Sequence, residues 1–410
     1  MKNKRPFFFT ADFLLSVILC LYVASLYFAN RTLVYATVLL VAAGAALIIY
    51  RVSSGKQKLC PPCPVVYCWL AVYLVRALWL LFSNDPQSGL RWIDTTLPFI
   101  LFPLLFQYLP LNERIFKTAL VFFVHFTLLF CAVSLFSVAY HSFTVPVAIK
   151  EWLFHPKSYP FAYTWTNYDH PSFLSVIYLL ALPAGVYLKR KYGAVSTAEI
   201  IALIVAEAAM IAFTGARVGF ILLPVLLFLI LLYCISLKRK IIVAGSLIAL
   251  AGIMAIGMWS LGEQFFLRFK DPVRMQLWET AVASIKEKPL LGTGTGGMDA
   301  VMTSPALATE LGYPEPQPLS YPHNQYLGEV MHFGFIGAAA LFGTLVYLLA
   351  MAFRKKDILL LSLLAVLFIF MFTEMPLDSH KGVNFFLFFI SLFAASLPLR
   401  TGAGLRNAIR

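Results

Sequence analysis

The stretch from His323 to Phe342, HNQYLGEVMHFGFIGAAALF, is typical of the apolar segments of this chain. It begins with a polar His-Asn pair and continues as a mainly apolar run that extends to Phe353. A helix of about 20 apolar residues crosses a hydrocarbon layer of about 30 Å. The stretch therefore predicts a membrane-spanning helix that carries polar side chains at one mouth.

Similar runs recur along the whole chain of 410 residues, of which 60% are apolar and only 12% are charged. A soluble domain has about 45–50% apolar and about 25% charged residues. We therefore predict an all-α polytopic membrane protein with about twelve spans. The predicted spans are Phe13–Ala29, Thr32–Tyr50, Val65–Phe82, Trp92–Leu109, Ile115–Tyr140, Ser172–Leu188, Ser196–Phe213, Val218–Leu237, Ile241–Ser260, Tyr326–Phe353, Ile358–Thr373 and Val383–Leu399.

The net charge of +13 comes from 32 Lys and Arg against 19 Asp and Glu. If the chain crosses the membrane at each span, the termini and every second connection lie on one side and hold 20 of these cations. The other connections hold 11, and Arg76 lies inside a span. Because cations accumulate in cytoplasmic connections, both termini are predicted to be cytoplasmic. The excess of Lys and Arg is therefore explained by the orientation of the spans in the membrane. We expect membrane lipids as partners and no nucleic acid.

Three parts of one integrated membrane domain are expected from the loop lengths. Residues 1–260 form a nine-span N-terminal membrane region with an outer loop at about 141–171. Residues 261–322 form a large outer loop, and residues 323–410 form a three-span C-terminal membrane region. Because long loops usually carry function, the outer face is predicted to be the working face.

The segment 271–289 of the large outer loop, DPVRMQLWETAVASIKEKP, is predicted to be a helix. Asp271 can cap its start, Pro272 suits the first helical position, and Pro289 ends it. Spacings of four, three and four residues place one stripe of side chains on a single side of this helix. The stripe consists of Arg274, Trp278, Ala281 and Ile285. Arg274 has either a functional role or a snorkelling position at the headgroup level.

A glycine-rich stretch, LLGTGTGG, follows Pro289, and its Gly292, Gly294 and Gly297 satisfy the pattern GxGxxG. This pattern indicates a nucleotide site only where it follows a strand in a βαβ unit. Here it follows a helix, so we interpret it as a flexible or tightly turning loop.

Several ionisable residues lie at the edge of the membrane or inside it. His323 at the outer mouth of its span is a candidate general base, although a structural role at a helix start is the alternative. His332 lies nine residues further and is expected to be a packed core residue. Arg217 follows a short outer turn, where it either ends a span or has a functional role, because burying a charge is costly. The remaining intramembrane candidates, which cannot be paired from the sequence, are Arg76, His125 and Glu207.

Three stretches together resemble the O-antigen ligase family, within the superfamily of O-antigen ligases and polymerases. They are TGARVGF at 214–220, RMQLWETAVASIKEKPLLGTG at 274–294 and HNQYLGEVMHFGFIG at 323–337. The family pattern in the last stretch is His, then Asn, Ser or Gln, nine residues, Gly, two residues, and Gly, Thr or Tyr. His323, Asn324, Gly334 and Gly337 meet it.

The resemblance implies a multi-pass protein of a bacterial inner membrane whose active site faces the periplasm. It implies transfer of a polysaccharide from undecaprenyl diphosphate to a lipid A-core sugar, by a metal-independent, inverting reaction without a cofactor. His323 would be the general base, and Arg217 and Arg274 would bind the donor diphosphate. Residues with supporting roles would be Asn324, Arg76, Arg268, Gly334 and Gly337. The sequence shows no clustered carboxylates on the outer face and no metal-ligand pattern.

Three alternatives stay open at this point. An O-antigen polymerase would use the same kind of donor with a lipid-linked acceptor, and a protein O-oligosaccharyltransferase belongs to the same superfamily. A lipid-linked glycan flippase or transporter is the alternative from a different class, since twelve spans also suit a carrier. No internal repeat is visible, and the candidate polar residues gather at the outer mouth rather than at the midplane, which opposes a carrier.

Overall fold

The computed structural model describes residues 11–144, 171–214, 216–235, 272–303 and 321–401, and these residues form helices and connections without a strand. The helices that position the site begin and end as follows. They are α1 (Ala11–Ser25), α2 (Asn30–Ser53), α3 (Pro64–Leu78), α4 (Pro86–Thr95), α5 (Pro98–Tyr108), α6 (Glu113–Thr144), α7 (Pro171–Leu179), α8 (Ala181–Tyr192), α9 (Thr197–Thr214), α10 (Arg217–Cys234), α11 (Pro272–Glu287), α12 (Gly297–Met302), α13 (Gln325–Lys355), α14 (Ile358–Phe370), α15 (His380–Ala395) and α16 (Leu397–Thr401).

Seven helical segments of the described residues are long and apolar enough to cross a membrane. They are Asn30–Ser53, Pro64–Phe82, Pro86–Tyr108, Glu113–Ser137, Ser172–Tyr192, Arg217–Cys234 and Gln325–Lys355. Three shorter apolar helices, α1, α14 and α15, add to them. The predicted class of an all-α polytopic membrane protein is confirmed. The number of twelve spans stays a prediction, and the ninth predicted span, Ile241–Ser260, lies outside the described residues.

Helix α15 lies in the interior of the bundle. All of its residues from Lys381 to Phe393 are buried, and it packs against α5, α14 and α2. Its aromatic rings interlock with those of α1 and α5: the ring of Phe388 stacks on Tyr22 at 4.3 Å and meets Phe106 edge-on at 5.4 Å. A helix that is apolar on all sides is expected to be buried in this way.

Polar contacts link the connections that are rich in Lys and Arg at one end of the bundle, which we call the cation-rich end. Gln57 donates to the Tyr108 carbonyl at 2.8 Å, and Lys191 pairs with Glu113 at 3.2 Å. Arg400 pairs with Asp357 at the same end. These contacts bring together connections that the charge pattern assigned to one side, while the assignment of this end to the cytoplasm stays a prediction.

The predicted fourth span, Trp92–Leu109, overlaps the membrane-crossing candidate Pro86–Tyr108, which consists of two helices. The chain forms α4 and α5, which are separated at Thr96 and Leu97. Pro98 lacks an N–H group, so the helical hydrogen-bond pattern is interrupted at this turn, where Pro98 begins α5. A helix of 11 residues such as α5 is only about 16 Å long and does not cross a membrane alone.

Helix α13 is interrupted at Gly334, whose backbone has φ 60° and ψ −175°. This conformation is open to glycine and costly for other residues. The break leaves the carbonyls of Met331 and His332 without their helical partners. They accept hydrogen bonds from the backbone N–H groups of Thr293 at 2.8 Å and Gly294 at 2.9 Å.

The other side of the break binds the same loop. The N–H groups of Phe335 and Ile336 donate to the carbonyls of Pro289 at 2.9 Å and Leu290 at 3.3 Å. The loop after α11 therefore satisfies four backbone groups of the broken helix, as a break at membrane depth requires. Of the two interpretations of the glycine-rich stretch, the tightly turning loop is confirmed.

Replacing Gly334 with Ala is predicted to destabilise the protein. A Cβ atom there would lie 2.2 Å from the Leu290 backbone, and the positive φ adds strain of about 1–3 kcal/mol. Thermal unfolding in detergent should show a lower midpoint. Gly343→Ala in the same helix is the matched control, because its Cβ meets no atom within 4 Å, and it should not lower the midpoint. Equal behaviour of the two variants would contradict the role of the break.

Candidate active site

The start of α13 holds His323 outside the helix. The Asn324 side chain caps α13 by accepting from the N–H groups of Tyr326 at 3.0 Å and Leu327 at 3.2 Å. The residue before this cap, His323, has a φ of 47°, which is uncommon for a residue other than glycine. Asn324 thus has an evident structural role, and His323 is placed at the mouth of the bundle rather than on the helix face.

A single carboxylate, that of Glu374, binds both His323 and Arg274. His323 Nδ1 lies 2.8 Å from Glu374 Oε2, and Arg274 Nη2 lies 3.1 Å from Oε1. Arg274 also donates to the Thr373 carbonyl at 2.6 Å. The Glu374 side chain is only 8% exposed, whereas that of His323 is 37% exposed. The structure therefore brings together two residues that the sequence analysis singled out.

This arrangement determines how the imidazole can act. We assign the Nδ1 proton to the hydrogen bond with Glu374, which leaves Nε2 as the nitrogen that can accept a proton. A carboxylate on the far side of the ring also stabilises the imidazolium that forms when Nε2 takes a proton. His323 and Glu374 together have the geometry of a general base with its orienting carboxylate.

Glu374 was missed by the sequence analysis, because its partners lie 51 and 100 residues away. One signal was available. The connection between α14 and α15, TEMPLDS at 373–379, carries two acidic residues at the mouth predicted to face outward. Acidic residues beside a predicted cationic site are candidate partners for its cations.

Arg274 lies in the first turn of helix α11, which packs beside the site. Pro272 begins this helix as predicted, while Asp271, the predicted cap, lies outside the described residues. Trp278 donates from Nε1 to the Pro322 carbonyl at 2.6 Å, and Ala281 is fully buried. The predicted stripe along α11 is therefore confirmed as the packed side, and Arg274 on that stripe is ion-paired rather than snorkelling.

Beside this site, Arg76 is buried between two further carboxylates. Its guanidinium lies 2.8 Å from Glu329 and also pairs with Asp378, and all three side chains are at most 2% exposed. Gln325 donates to Asp378 at 2.6 Å. The sequence separates Glu329 and Asp378 by 49 residues, and only the fold brings them together.

Arg217 lies at the same end of the bundle as His323. Near the other end of its helix, the Tyr233 carbonyl accepts from Arg190 at 3.0 Å, which places that end of α10 at the cation-rich end. Arg217 begins this helix of 18 residues, about 27 Å away. The remaining predicted cation, Arg268, lies outside the described residues.

The two motif glycines support the site through packing. Gly334 permits the break in α13, and a Cβ on Gly337 would lie 3.1 Å from the indole of Trp79. His332 is fully buried and packs edge-on against Trp92 at 4.7 Å, as expected for a core residue. Among the described residues, no group of three or more His, Cys, Asp or Glu side chains is placed to hold a metal ion.

Two other intramembrane candidates lie apart from these contacts. His125 Nε2 lies 2.7 Å from Glu199, which belongs to the first turn of α9 near the cation-rich end. Glu207 is fully buried, and its carboxylate oxygens make no hydrogen bond to the residues that the structure describes.

The fold and the site define a multi-pass helical membrane protein with a polar centre of His, Glu and Arg side chains at one end of its bundle. Residues 200–342 match the family model described as O-antigen ligase. This segment, 143 of the 410 residues, is similar to the superfamily of O-antigen ligases and polymerases, which are glycosyltransferase-like enzymes. The recognised resemblance is thereby confirmed. A comparison with curated proteins finds no match.

The matched segment contains Arg217, Arg274 and His323, whereas Glu374 and Asp378 follow it in the chain. The site therefore combines side chains from the family segment with carboxylates from the connection between α14 and α15.

Replacing Arg76 with Met is predicted to destabilise the protein strongly. The variant would leave Glu329 and Asp378 as uncompensated buried charges, at a cost of about 3–5 kcal/mol. The measurement is the unfolding midpoint in detergent, with Arg31→Met, a change at an exposed arginine, as the matched control. Adding Glu329→Gln and Asp378→Asn to the Arg76 variant should recover part of the loss. An Arg76 variant as stable as the control would contradict the pairing.

Proposed function

We propose that this protein is an O-antigen ligase that transfers a polysaccharide from undecaprenyl diphosphate to a sugar of the lipid A-core. The reaction would take place at the periplasmic face of the bacterial inner membrane and complete lipopolysaccharide. The observation that carries the proposal is the convergence of His323 and Arg274 on Glu374 at the mouth of the bundle. Both residues belong to the segment that matches the ligase family.

The proposed reaction is a single displacement at the anomeric carbon of the donor. The acceptor hydroxyl oxygen attacks this carbon, and its proton passes to Nε2 of His323. The bond between the anomeric carbon and the diphosphate oxygen breaks, and undecaprenyl diphosphate leaves with the electron pair. Attack opposite the leaving group inverts the anomeric configuration. Glu374 acts as a positioning residue, because it orients the imidazole and stabilises its charged form.

Arginine side chains suit the leaving group in this reaction. A guanidinium presents a planar fork of donors that matches the oxygens of a phosphate. We assign Arg217 and Arg274 to the donor diphosphate, where each charge-assisted hydrogen bond contributes about 1.5–3 kcal/mol. Arg274 would share its donors between Glu374 and the diphosphate, which would couple donor binding to the orientation of His323.

Deleting the gene from the bacterium that carries it tests the proposed function. Loss of a ligase should leave bare lipid A-core, with polymer retained on its lipid carrier. Complementation with the wild-type gene should restore capped core, whereas Arg217→Ala or Arg274→Ala should not, and Arg31→Ala should. A core that carries a single repeat in the deletion strain would identify a polymerase instead, and fully capped core would contradict both activities.

His323→Ala is predicted to lower kcat of the purified enzyme about 10²–10⁴-fold, the usual contribution of a general base. Glu374→Gln should also lower kcat, since the amide no longer stabilises the imidazolium. Both variants are measured by transfer from a polyprenyl-diphosphate-linked glycan to lipid A-core in detergent. His125→Ala, at a histidine near the cation-rich end, is the control and should keep wild-type rates. Wild-type kcat in His323→Ala would remove the assignment of the base.

A further inference from the structure

A cavity of about 490 Å³ opens beside the segment that carries His323, and the catalytic scheme above does not use it. Its walls come from α4, α12, Tyr321 and the connection that holds Asp378. Side chains that can bind a ligand there include Asp85, Arg91, Trp92, Asp299, Tyr321 and Asp378. The volume lies within the range of small-molecule sites, about 300–1,000 Å³.

Two aromatic rings form an apolar corner of this cavity. The rings of Trp92 and Tyr321 meet at 88°, with their centroids 5.9 Å apart. The Trp92 indole is held from behind by His332, whose ring packs against it, and Trp92 Nε1 points to the Asp299 carboxylate at 3.3 Å. An apolar ring surface beside a carboxylate matches a sugar ring, which has apolar C–H faces and a rim of hydroxyl groups.

The polar groups of the cavity are partly withdrawn from water. Burial raises the pKa of the Asp299 carboxyl, while the hydrogen bond from Trp92 opposes this rise. Burial, together with the nearby Asp299 carboxylate, also raises the pKa of Tyr321 to about 12, so its phenol is neutral at physiological pH. Hydrogen bonds that a ligand makes to such groups are stronger than those at an open surface.

The charges of the cavity favour an uncharged ligand over a phosphate. Asp85, Asp299 and Asp378 contribute carboxylates, against which the cavity wall carries the guanidinium of Arg91. The charge of Arg76 behind Asp378 is already shared with Glu329. Carboxylates accept hydrogen bonds from hydroxyl groups and repel phosphate oxygens.

The cavity adjoins the proposed base. Tyr321 precedes His323 by two residues, so their Cα atoms lie within about 7 Å of each other. On the other side, Asp378 accepts from Gln325, two residues after His323. The cavity therefore borders the segment of the chain that carries His323.

We propose that this cavity is a subsite for an uncharged sugar ring of the acceptor, and that it presents a ring hydroxyl to His323. Trp92 and Tyr321 contact the apolar face of the ring, and the Asp299 carboxylate accepts a hydrogen bond from a ring hydroxyl. The inference rests on the proposed function, because it assigns one substrate of that reaction to a place in the structure.

Steady-state kinetics of the purified full-length protein show whether the sugar ring that binds in the cavity belongs to the acceptor or to the donor. Asp299→Asn should raise the KM for lipid A-core about tenfold, the loss of one hydrogen bond to a charged group, and leave the KM for the donor unchanged. Glu287→Gln, at an exposed acid outside the cavity, is the matched control and should change neither constant. A rise in the donor KM alone, or no change in either KM, would overturn the proposal.

A binding experiment keeps this inference separate from the proposed function. Saturation-transfer NMR on the detergent-solubilised protein uses methyl glucoside, methyl galactoside and glucose 1-phosphate as probes. We expect transfer to a neutral glycoside, about tenfold weaker binding in Asp299→Asn and Tyr321→Leu, and weaker binding of the phosphate. Equal binding in the variants, tighter binding of the phosphate, or no binding of either glycoside would overturn the subsite. Glycoside binding by a protein that lacks ligase activity would overturn the proposed function and leave the sugar subsite standing.

Discussion

At Gly334 the backbone of α13 leaves the helical conformation. The backbone groups that lose their helical partners there bind the loop after α11, and these hydrogen bonds hold the site together. The loop between Pro289 and Gly294 binds backbone groups on both sides of the break, so α11 on one side of the loop and α12 on the other are anchored to α13. One helix carries Arg274 and the other carries Asp299. An unsatisfied backbone group within a membrane costs several kcal/mol, which gives this contact strong reason to persist. A conformation that suits glycine therefore positions side chains more than 30 residues away in sequence.

Near the break in α13, Arg76 and Arg274 form ion pairs with carboxylates of the protein itself. Glu374 binds Arg274 and His323, and Arg76 lies between Glu329 and Asp378. A diphosphate that enters the site under the proposed function would meet an Arg274 that Glu374 already orients, which lowers the entropy lost on binding. The cavity carboxylates Asp85, Asp299 and Asp378 separate the two substrates by charge, since they repel a diphosphate and accept hydrogen bonds from sugar hydroxyls.

Local sequence patterns predicted those parts of the structure that depend on neighbouring residues. In the part of the chain that the structure describes, the apolar runs correspond to helices, Pro272 begins α11, and the stripe from Arg274 to Ile285 packs inward. The resemblance singled out His323 and Arg274, which the fold places on one carboxylate. The pairings themselves could not be predicted, because Glu374 meets partners 51 and 100 residues away and Asp378 meets Arg76 across 302 residues. The division of the fourth span at Pro98 was also missed, since composition averaged over a window hides a single proline.

In the proposed reaction, a hydroxyl activated by His323 displaces a diphosphate in one step. The most direct measurement is the anomeric configuration of the new glycosidic bond. Purified protein is incubated with an undecaprenyl-diphosphate-linked oligosaccharide of known configuration and with lipid A-core, and the product is analysed by NMR. We expect transfer with complete inversion, at a rate that EDTA does not change and that His323→Ala lowers about 10²–10⁴-fold. Retention of configuration, or an unchanged rate in His323→Ala, would contradict a one-step displacement with His323 as its base.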